Sequence, residues 1–154
     1  MKERALWLGL ALALAAGLAL TRPEPSLVVH TVAGAELGRF PLSSAGSFVL
    51  RYRNSLYGSE VEERYRVAGD RFSLVGLAAE ELAVLEEYYG ARARWVPGAY
   101  PYEAEPAVTV NLSSLTVVAT DLGERVLVLP DGRGLELWRL VDDVDPAVVV
   151  SVES

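Results

Sequence analysis

The chain has 154 residues, of which 51% are hydrophobic, and a formal net charge of −7. This length is enough for one domain with a substantial core, and the absence of cysteine excludes disulfides, thiolate zinc sites and a cysteine nucleophile. Because an acidic domain binds nucleic acids and anionic membranes poorly, the expected partners are proteins or small solutes, not nucleic acid.

The first predicted element is a hydrophobic segment at the N-terminus. The charged stretch MKER precedes an uninterrupted apolar run at residues 5–20. A spanning helix needs about 20 apolar residues, so the segment 1–20 fits either a cleaved signal peptide or a short membrane anchor. Both alternatives insert the segment in the membrane at least transiently. Both also predict that residues 26–154 form a single extracytoplasmic domain, in the periplasm or at the outer face of the cytoplasmic membrane.

This domain is predicted to be all-β. Short runs of β-branched and aromatic residues alternate with Gly, Pro, Asp and Ser at spacings of about 8 to 12 residues, which is typical of antiparallel folds. We therefore expect an antiparallel β-sandwich or a partly open barrel of about 9 to 11 short strands. The predicted strands span residues 26–32, 36–42, 47–54, 60–67, 71–76, 82–89, 107–111, 115–119, 124–129, 134–140 and 147–152.

The hairpin at residues 48–67 carries polar residues in an otherwise apolar row. With a two-residue turn at Tyr57 and Gly58, strand alternation puts Tyr52, Asn54 and Glu63 on one face. In this register Tyr52 lies opposite Glu63. The other face is charged and predicted to be solvated, with Arg53 opposite Glu62 in an exposed ion pair; its members are Arg51, Arg53, Glu62, Arg64 and Arg66.

Glu63 needs partners if it is buried, because an unpaired buried carboxylate costs several kcal/mol. The predicted hydrogen-bond donors are Tyr52, Asn54 and Ser55. These three residues and Glu63 form the candidate site, which either stabilises the hairpin or contacts a ligand or partner.

The segment LAAEELAVLEEYYG, residues 77–90, allows two interpretations. Ala78, Leu82, Leu85 and Tyr89 follow helical spacing, and Gly90 would suit the end of a short helix near 78–89. A turn followed by a strand at 82–89 fits equally well. The following residues, 91–106, contain three prolines and no sustained period, which predicts irregular structure.

The sequence ERVLVLPDGRGLELWRL predicts a second hairpin, whose turn contains Pro130, Asp131 and Gly132. If its second arm is a strand, Leu135, Leu137 and Arg139 share one face.

No sequence motif indicates catalysis, a cofactor or a metal. His30, the only histidine, lies in an apolar strand and is more simply an ordinary strand residue than a ligand. The acidic stretch at Asp142, Asp143 and Asp145 runs into Pro146 without the spacing of a calcium loop, and is predicted to be a solvated turn. Hydrolase elbows and glycine-rich nucleotide loops are absent from the sequence, so a non-enzymatic role is expected.

The first hairpin resembles a family of small exported bacterial proteins, the domain of unknown function 1850. In that family a strand ending in Tyr-x-His-Ser precedes a short turn and Val-x-Glu with a following Val. The matching residues here are Tyr52, Asn54, Ser55, Val61, Glu63 and Val67. A second family feature, Gly-Ala-Gly leading to Pro, corresponds to Gly90, Ala91 and Pro97, with Arg92 in place of the second Gly.

The resemblance implies a non-catalytic accessory of a tripartite ATP-independent periplasmic (TRAP) transporter of the TAXI type, contacting its membrane or solute-binding component. Asn54 replaces the family histidine, and since an amide neither titrates nor coordinates metals well, a hydrogen-bonding role is expected there. The alternative is a small-solute binding module, whose pocket would be lined by Tyr52, Asn54, Glu63, Tyr88, Tyr89 and Trp95.

Overall fold

The computed structural model of the chain describes residues 24–42, 46–142 and 144–153. The predicted signal peptide or anchor at 1–20 lies outside the described residues. Within the described residues, no helix has the length and hydrophobicity required to cross a membrane. The described chain is built mainly of antiparallel strands, which confirms the all-β prediction.

Twelve strands are found in the described residues. They are β1 (Ser26–Thr31), β2 (Glu36–Pro41), β3 (Ser47–Arg53), β4 (Glu60–Ala68), β5 (Arg71–Ala79), β6 (Arg94–Trp95), β7 (Tyr102–Ala104), β8 (Asn111–Leu112), β9 (Ser114–Val118), β10 (Val126–Val128), β11 (Gly134–Glu136) and β12 (Ala147–Glu153).

The strands form two sheets that do not close into a barrel. The smaller sheet has the order β2, β1, β12, β9, so β9 lies at its edge. The larger sheet has the order β11, β10, β3, β4, β5, β7, β6, and β8 pairs with β5 beside this path. The chain reaches the smaller sheet three times, at β1 and β2, at β9 and at β12, so this sheet joins distant parts of the sequence.

Strand alternation explains which side chains enter the core. Phe48, Leu50 and Tyr52 are buried in β3, and Val148 and Val150 are buried in β12, with the intervening residues less covered. Since successive side chains point to opposite faces of a sheet, each sheet presents one apolar face. The two faces meet in a core with members from both sheets: Leu27, Val29, Val117, Val148 and Val150 from the smaller, and Phe48, Leu50, Tyr65, Phe72 and Leu127 from the larger.

A second apolar cluster lies at the other end of the larger sheet. It contains Tyr52, Val61 and Leu77 from the strands, and a helical turn, Val84–Tyr88, covers them. Val84 and Leu85 are fully buried in this turn. Two consecutive buried residues do not fit the alternation of a half-buried strand, so the strand predicted at 82–89 is wrong and the helical alternative is correct in a shorter, π-helical form.

Three other predicted segments need correction. The strand predicted at 107–111 is wrong, because pairing with β5 begins only at Asn111 and gives the short strand Asn111–Leu112. Residues 91–106 are not wholly irregular, because Arg94–Trp95 and Tyr102–Ala104 pair with each other and extend the larger sheet. The second hairpin has the predicted turn, with Gly132 at φ 84° and the Arg133 amide donating to Asp131 Oδ1 at 3.0 Å. Its second arm is a strand only at Gly134–Glu136 and continues as a 3₁₀ turn, Leu137–Arg139, so the predicted face of Leu135, Leu137 and Arg139 does not form.

Candidate functional site

The hairpin of β3 and β4 has the predicted faces but a different register. Leu50 lies opposite Glu63, and Tyr52 lies opposite Val61. The strands end at Arg53 and restart at Glu60, so the connection is longer than the predicted two-residue turn. A shift of two residues changes every cross-strand partner while leaving each side chain on the same face.

Asn54 determines the shape of this connection. Its Oδ1 accepts hydrogen bonds from the amides of Leu56 (3.0 Å) and Tyr57 (3.2 Å), and its carbonyl accepts from the Gly58 amide at 2.7 Å. Asn54 is 5% exposed, and Gly58 has φ 66°. Asn54 therefore has the predicted hydrogen-bonding role, but toward the turn backbone and not toward Glu63.

The Glu63 carboxylate is bound by two tyrosines that the hairpin analysis did not propose as donors. Tyr65 Oη donates to Oε2 at 2.7 Å and Tyr89 Oη donates to Oε1 at 2.5 Å. Tyr52 reaches this group only through Tyr89, with 2.5 Å between the two hydroxyl oxygens. The prediction that Tyr52, Asn54 or Ser55 binds Glu63 directly is wrong for the described residues, and Ser55 is exposed to solvent.

The environment keeps these tyrosines protonated. Burial raises the pKa of Tyr52 to about 12, although its hydrogen bond with Tyr89 acts in the opposite direction. Burial and then the nearby charge of Glu63 raise the pKa of Tyr65 and of Tyr89 well above the ordinary value. A protonated phenol is a hydrogen-bond donor, so Tyr65 and Tyr89 remain donors to Glu63 throughout the physiological pH range.

Glu63 lies in the wall of a cavity of about 260 Å³, which we call the rim cleft. Its polar and aromatic lining comes from β3, β4, the helical turn and the segment before β10, and residues 115–118 of the edge strand β9 form a further part of its wall. The lining side chains considered below are Tyr52, Glu63, Tyr65, Tyr88, Tyr89 and Arg125. The Arg125 guanidinium carbon lies 5.1 Å from the centre of the Tyr52 ring, within cation–π distance.

The rim cleft brings together four of the six residues predicted to line a solute pocket. Tyr52, Glu63, Tyr88 and Tyr89 line it, whereas Asn54 is buried in the turn and Trp95 is exposed on β6. Sequence reasoning missed Arg125 and the wall formed by β9. The contact of Tyr65 with Glu63 could have been predicted from the sequence, because Tyr65 follows Glu63 by two residues and therefore lies on the same face of the strand.

The opposite face of β4 carries an ion-pair network centred on Glu62. This side chain is 11% exposed and contacts Arg51 at 3.1 Å and Arg64 at 2.8 Å. Arg64 continues to Glu103 of β7 at 2.9 Å. The predicted exposed pair between Glu62 and Arg53 is wrong, because the register places Arg51 opposite Glu62, and Arg53 binds Glu124 instead at 3.3 Å.

Other acidic and imidazole groups are held in local surface contacts. His30 Nε2 lies 3.3 Å from Glu153 Oε1, and Glu153 also binds Arg39 at 2.7 Å. Asp142 Oδ1 accepts from the amides of Val144 and Asp145, both at 3.0 Å, as expected of a turn. No group of three or more potential metal ligands occurs within residues 24–42, 46–142 and 144–153.

The rim cleft is thus a small, partly open cavity with one carboxylate, one guanidinium and several protonated phenols. Such a set of groups can bind a small polar solute through charge and hydrogen bonds. The resemblance of the first hairpin to the domain of unknown function 1850 stays a prediction. Comparisons of the chain with family models, with curated proteins and with solved structures found no significant match.

Proposed function

We propose that this chain is a non-enzymatic, extracytoplasmic module that binds a small solute in the rim cleft. The observation that carries the proposal is Glu63, a partly buried carboxylate held by two tyrosine hydroxyls at the wall of an open cavity. A carboxylate has about four acceptor positions, and two phenols leave some of them for a ligand.

The cavity volume supports a small ligand. Pockets for drug-sized molecules have volumes of about 300 to 1,000 Å³, and the rim cleft has about 260 Å³. Its phenols support binding over proton transfer, because their raised pKa keeps them protonated and makes them poor acids near neutral pH. The apolar export segment at residues 5–20 supports a position outside the cytoplasm.

A thermal-shift screen of the full-length protein in mild detergent, against a library of small polar solutes, tests this function. Tyr88 lines the cleft yet is 69% exposed, so Tyr88→Ala should remove part of the binding surface without unfolding the domain. Trp95→Ala, on a side chain that is 68% exposed outside the cleft, is the matched control.

We expect at least one solute that raises the Tm of the wild type and of Trp95→Ala but raises the Tm of Tyr88→Ala much less. A library without any stabilising solute, or a solute that stabilises Tyr88→Ala as strongly as the wild type, would count against the rim cleft as a binding site.

The resemblance supports a second candidate function, an accessory of a TAXI-type TRAP transporter that contacts its membrane or solute-binding component. Val118 and Leu122, four residues apart in the sequence, are 53% and 66% exposed at the end of β9 and just beyond it, and exposed apolar patches often mark protein contacts. The two functions are compatible, because a transporter accessory can also bind a solute.

Co-purification from native membranes in mild detergent tests the accessory function. We expect a transporter component to be recovered with the wild type and with Val108→Asp, a change at a 72% exposed residue between β7 and β8, but not with Leu122→Asp. Recovery of the wild type without any transporter component would contradict this second candidate.

A further inference from the structure

The rim cleft contains two opposite charges that are not paired with each other. Glu63 and Arg125 both line the cavity. Among the described residues, neither side chain takes part in an ion pair within 4.0 Å, although most of the other glutamates and arginines of β3 and β4 do. We propose, resting on the solute-binding function above, that the rim cleft recognises a small zwitterion whose ammonium group lies at Glu63 and whose carboxylate lies at Arg125.

The Glu63 end has the chemistry of an ammonium site. Its carboxylate is oriented by the hydroxyls of Tyr65 and Tyr89, at 2.7 Å and 2.5 Å, and keeps acceptor capacity for a further donor. The ring of Tyr88, which lines the same cavity, adds an aromatic face, and aromatic faces attract ammonium groups.

The Arg125 end has the chemistry of a carboxylate site. A guanidinium presents its N–H donors as a planar fork that matches both oxygens of a carboxylate. Within the described residues its side chain donates no hydrogen bond, and its position over the Tyr52 ring, at 5.1 Å, orients it. Gly123 leaves room for this orientation of Arg125. A Cβ at position 123 would lie too close to the guanidinium nitrogen Nη1 and would clash with it.

The combination of the two ends favours a zwitterion over an ion of one sign. A bound cation would leave Arg125 unpaired and close to a second positive charge. A bound anion would leave Glu63 unpaired and close to a second negative charge. A molecule with one ammonium and one carboxylate neutralises both groups at once. The cavity of about 260 Å³ limits it to a small molecule of this class, such as a free amino acid or a betaine.

Isothermal titration of the full-length protein in mild detergent tests the assignment with five probes. L-alanine and glycine betaine are the zwitterions, tetramethylammonium is the cation, acetate is the anion and glycerol is the neutral solute. We expect at least one zwitterion to bind about tenfold or more tightly than each of the other three probes, because only the zwitterion leaves no charge unpaired.

Charge-removing variants identify the two ends. Glu63→Gln and Arg125→Gln should each weaken zwitterion binding by about tenfold or more, while the exposed controls Glu86→Gln and Arg66→Gln should leave it unchanged. The unliganded Tm of each variant shows whether it folds. If Glu63→Gln does not fold, Arg125→Gln carries the test, because the Arg125 side chain lies partly in solvent and has no structural hydrogen bond among the described residues.

The outcomes separate this inference from the function on which it rests. The zwitterion assignment would be overturned if tetramethylammonium, acetate or glycerol bound more tightly than both zwitterions. If Tyr88→Ala also lost that binding, the rim cleft would still be a solute site. Zwitterion binding that persists in both Glu63→Gln and Arg125→Gln would also overturn it. If no probe binds and the wider screen finds no ligand, both proposals fail together.

Discussion

At the scale of single residues, Glu62 and Glu63 are sequence neighbours whose charges are satisfied in different ways. Glu62 is bound by two arginines, Arg51 and Arg64, on the outer face of β4. Glu63 is bound by two tyrosine hydroxyls on the inner face. An arginine brings a compensating charge to a carboxylate whereas a phenol does not, so the two tyrosine contacts leave the Glu63 carboxylate without a charged partner.

Glu63→Gln should lower the free energy of unfolding by about 1 to 3 kcal/mol. Glutamine has one acceptor oxygen in place of two, and its NH₂ would face a tyrosine hydroxyl that now donates to a carboxylate. Denaturant melts of residues 21–154 measure the change. An effect below about 0.5 kcal/mol would mean that these hydrogen bonds do not stabilise the domain.

Glu62→Gln should be destabilising by a comparable amount, about 1 to 3 kcal/mol, since its 11% exposed carboxylate binds two arginines. This expectation replaces the small effect implied by an exposed pair with Arg53. Glu36→Gln is the control, because Glu36 binds Arg39 where both side chains are more than 40% exposed, and such pairs contribute less than about 1 kcal/mol. Equal effects of Glu62→Gln and Glu36→Gln in denaturant melts would contradict the assigned network.

Alkaline pH should destabilise the domain through its tyrosines. Burial raises the pKa of Tyr52 from 10.0 to about 12 in the folded state, so the protonated phenol favours folding. This contribution is complete below pH 10 and is lost as the pH rises from 10 toward 12, because the unfolded state releases its proton first. Denaturant melts across this range measure the loss, which should be smaller in Tyr52→Phe. An identical pH dependence in both proteins would disprove the role of Tyr52.

At the scale of elements, the connection between β3 and β4 decides the hairpin register. The Asn54 side chain accepts two backbone amides and so replaces a tight two-residue turn with a longer loop. Residues of this type are recognisable in a sequence as turn formers, but the length of the loop that they produce depends on which amides they reach.

Asn54→Ala should therefore destabilise the domain by about 1 to 2 kcal/mol, because the amides of Leu56 and Tyr57 lose their acceptor. Asn54→Asp keeps an acceptor oxygen at the same place and should remain closer to the wild type. Ser55→Ala, at an exposed position of the same loop, should change stability by less than about 0.5 kcal/mol. Denaturant melts compare the three, and a neutral Asn54→Ala would show that solvent replaces these hydrogen bonds.

At the scale of the whole molecule, the two sheets and the helical turn together form the rim cleft. The edge strand β9 belongs to the smaller sheet, Glu63 belongs to the larger one, and Tyr88 and Tyr89 come from the turn and its end. The packing of the sheets therefore controls the shape of the cleft. Three aromatic residues in this packing, Phe48, Tyr65 and Phe72, lie with ring centres 4.9 to 5.6 Å apart.

Phe72→Ala should lower the free energy of unfolding by about 3 to 5 kcal/mol, because Phe72 is fully buried between the sheets and its loss leaves a cavity. It should also weaken the response to any cleft ligand, since Tyr65 packs on Phe72 and binds Glu63. Denaturant melts and thermal shift measure the two effects. Trp95→Ala, at an exposed edge residue, is the control, and a Phe72→Ala cost no larger than that of Trp95→Ala would contradict the assigned core.

The strands were largely predictable from the sequence because alternation and turn residues act locally. The boundaries predicted for β1, β2, β3, β4 and β12 agree with the structure to within one residue. The predictions failed where local signals were ambiguous, as at Val84–Tyr88, or where pairing stabilises very short strands, as at Arg94–Trp95 and Tyr102–Ala104. A two-residue strand has no periodicity to detect, and only its partner identifies it.

The sequence by itself determined the all-β class, the acidic charge and the face on which Glu63 lies, since each follows from composition or from alternation along one strand. Only the tertiary structure decided what surrounds Glu63. Tyr89 is 26 residues away along the chain, and the β9 wall and Arg125 are more distant still. Contacts at such separations depend on how the two sheets pack and on the path of the turn between them, and no local pattern encodes either one.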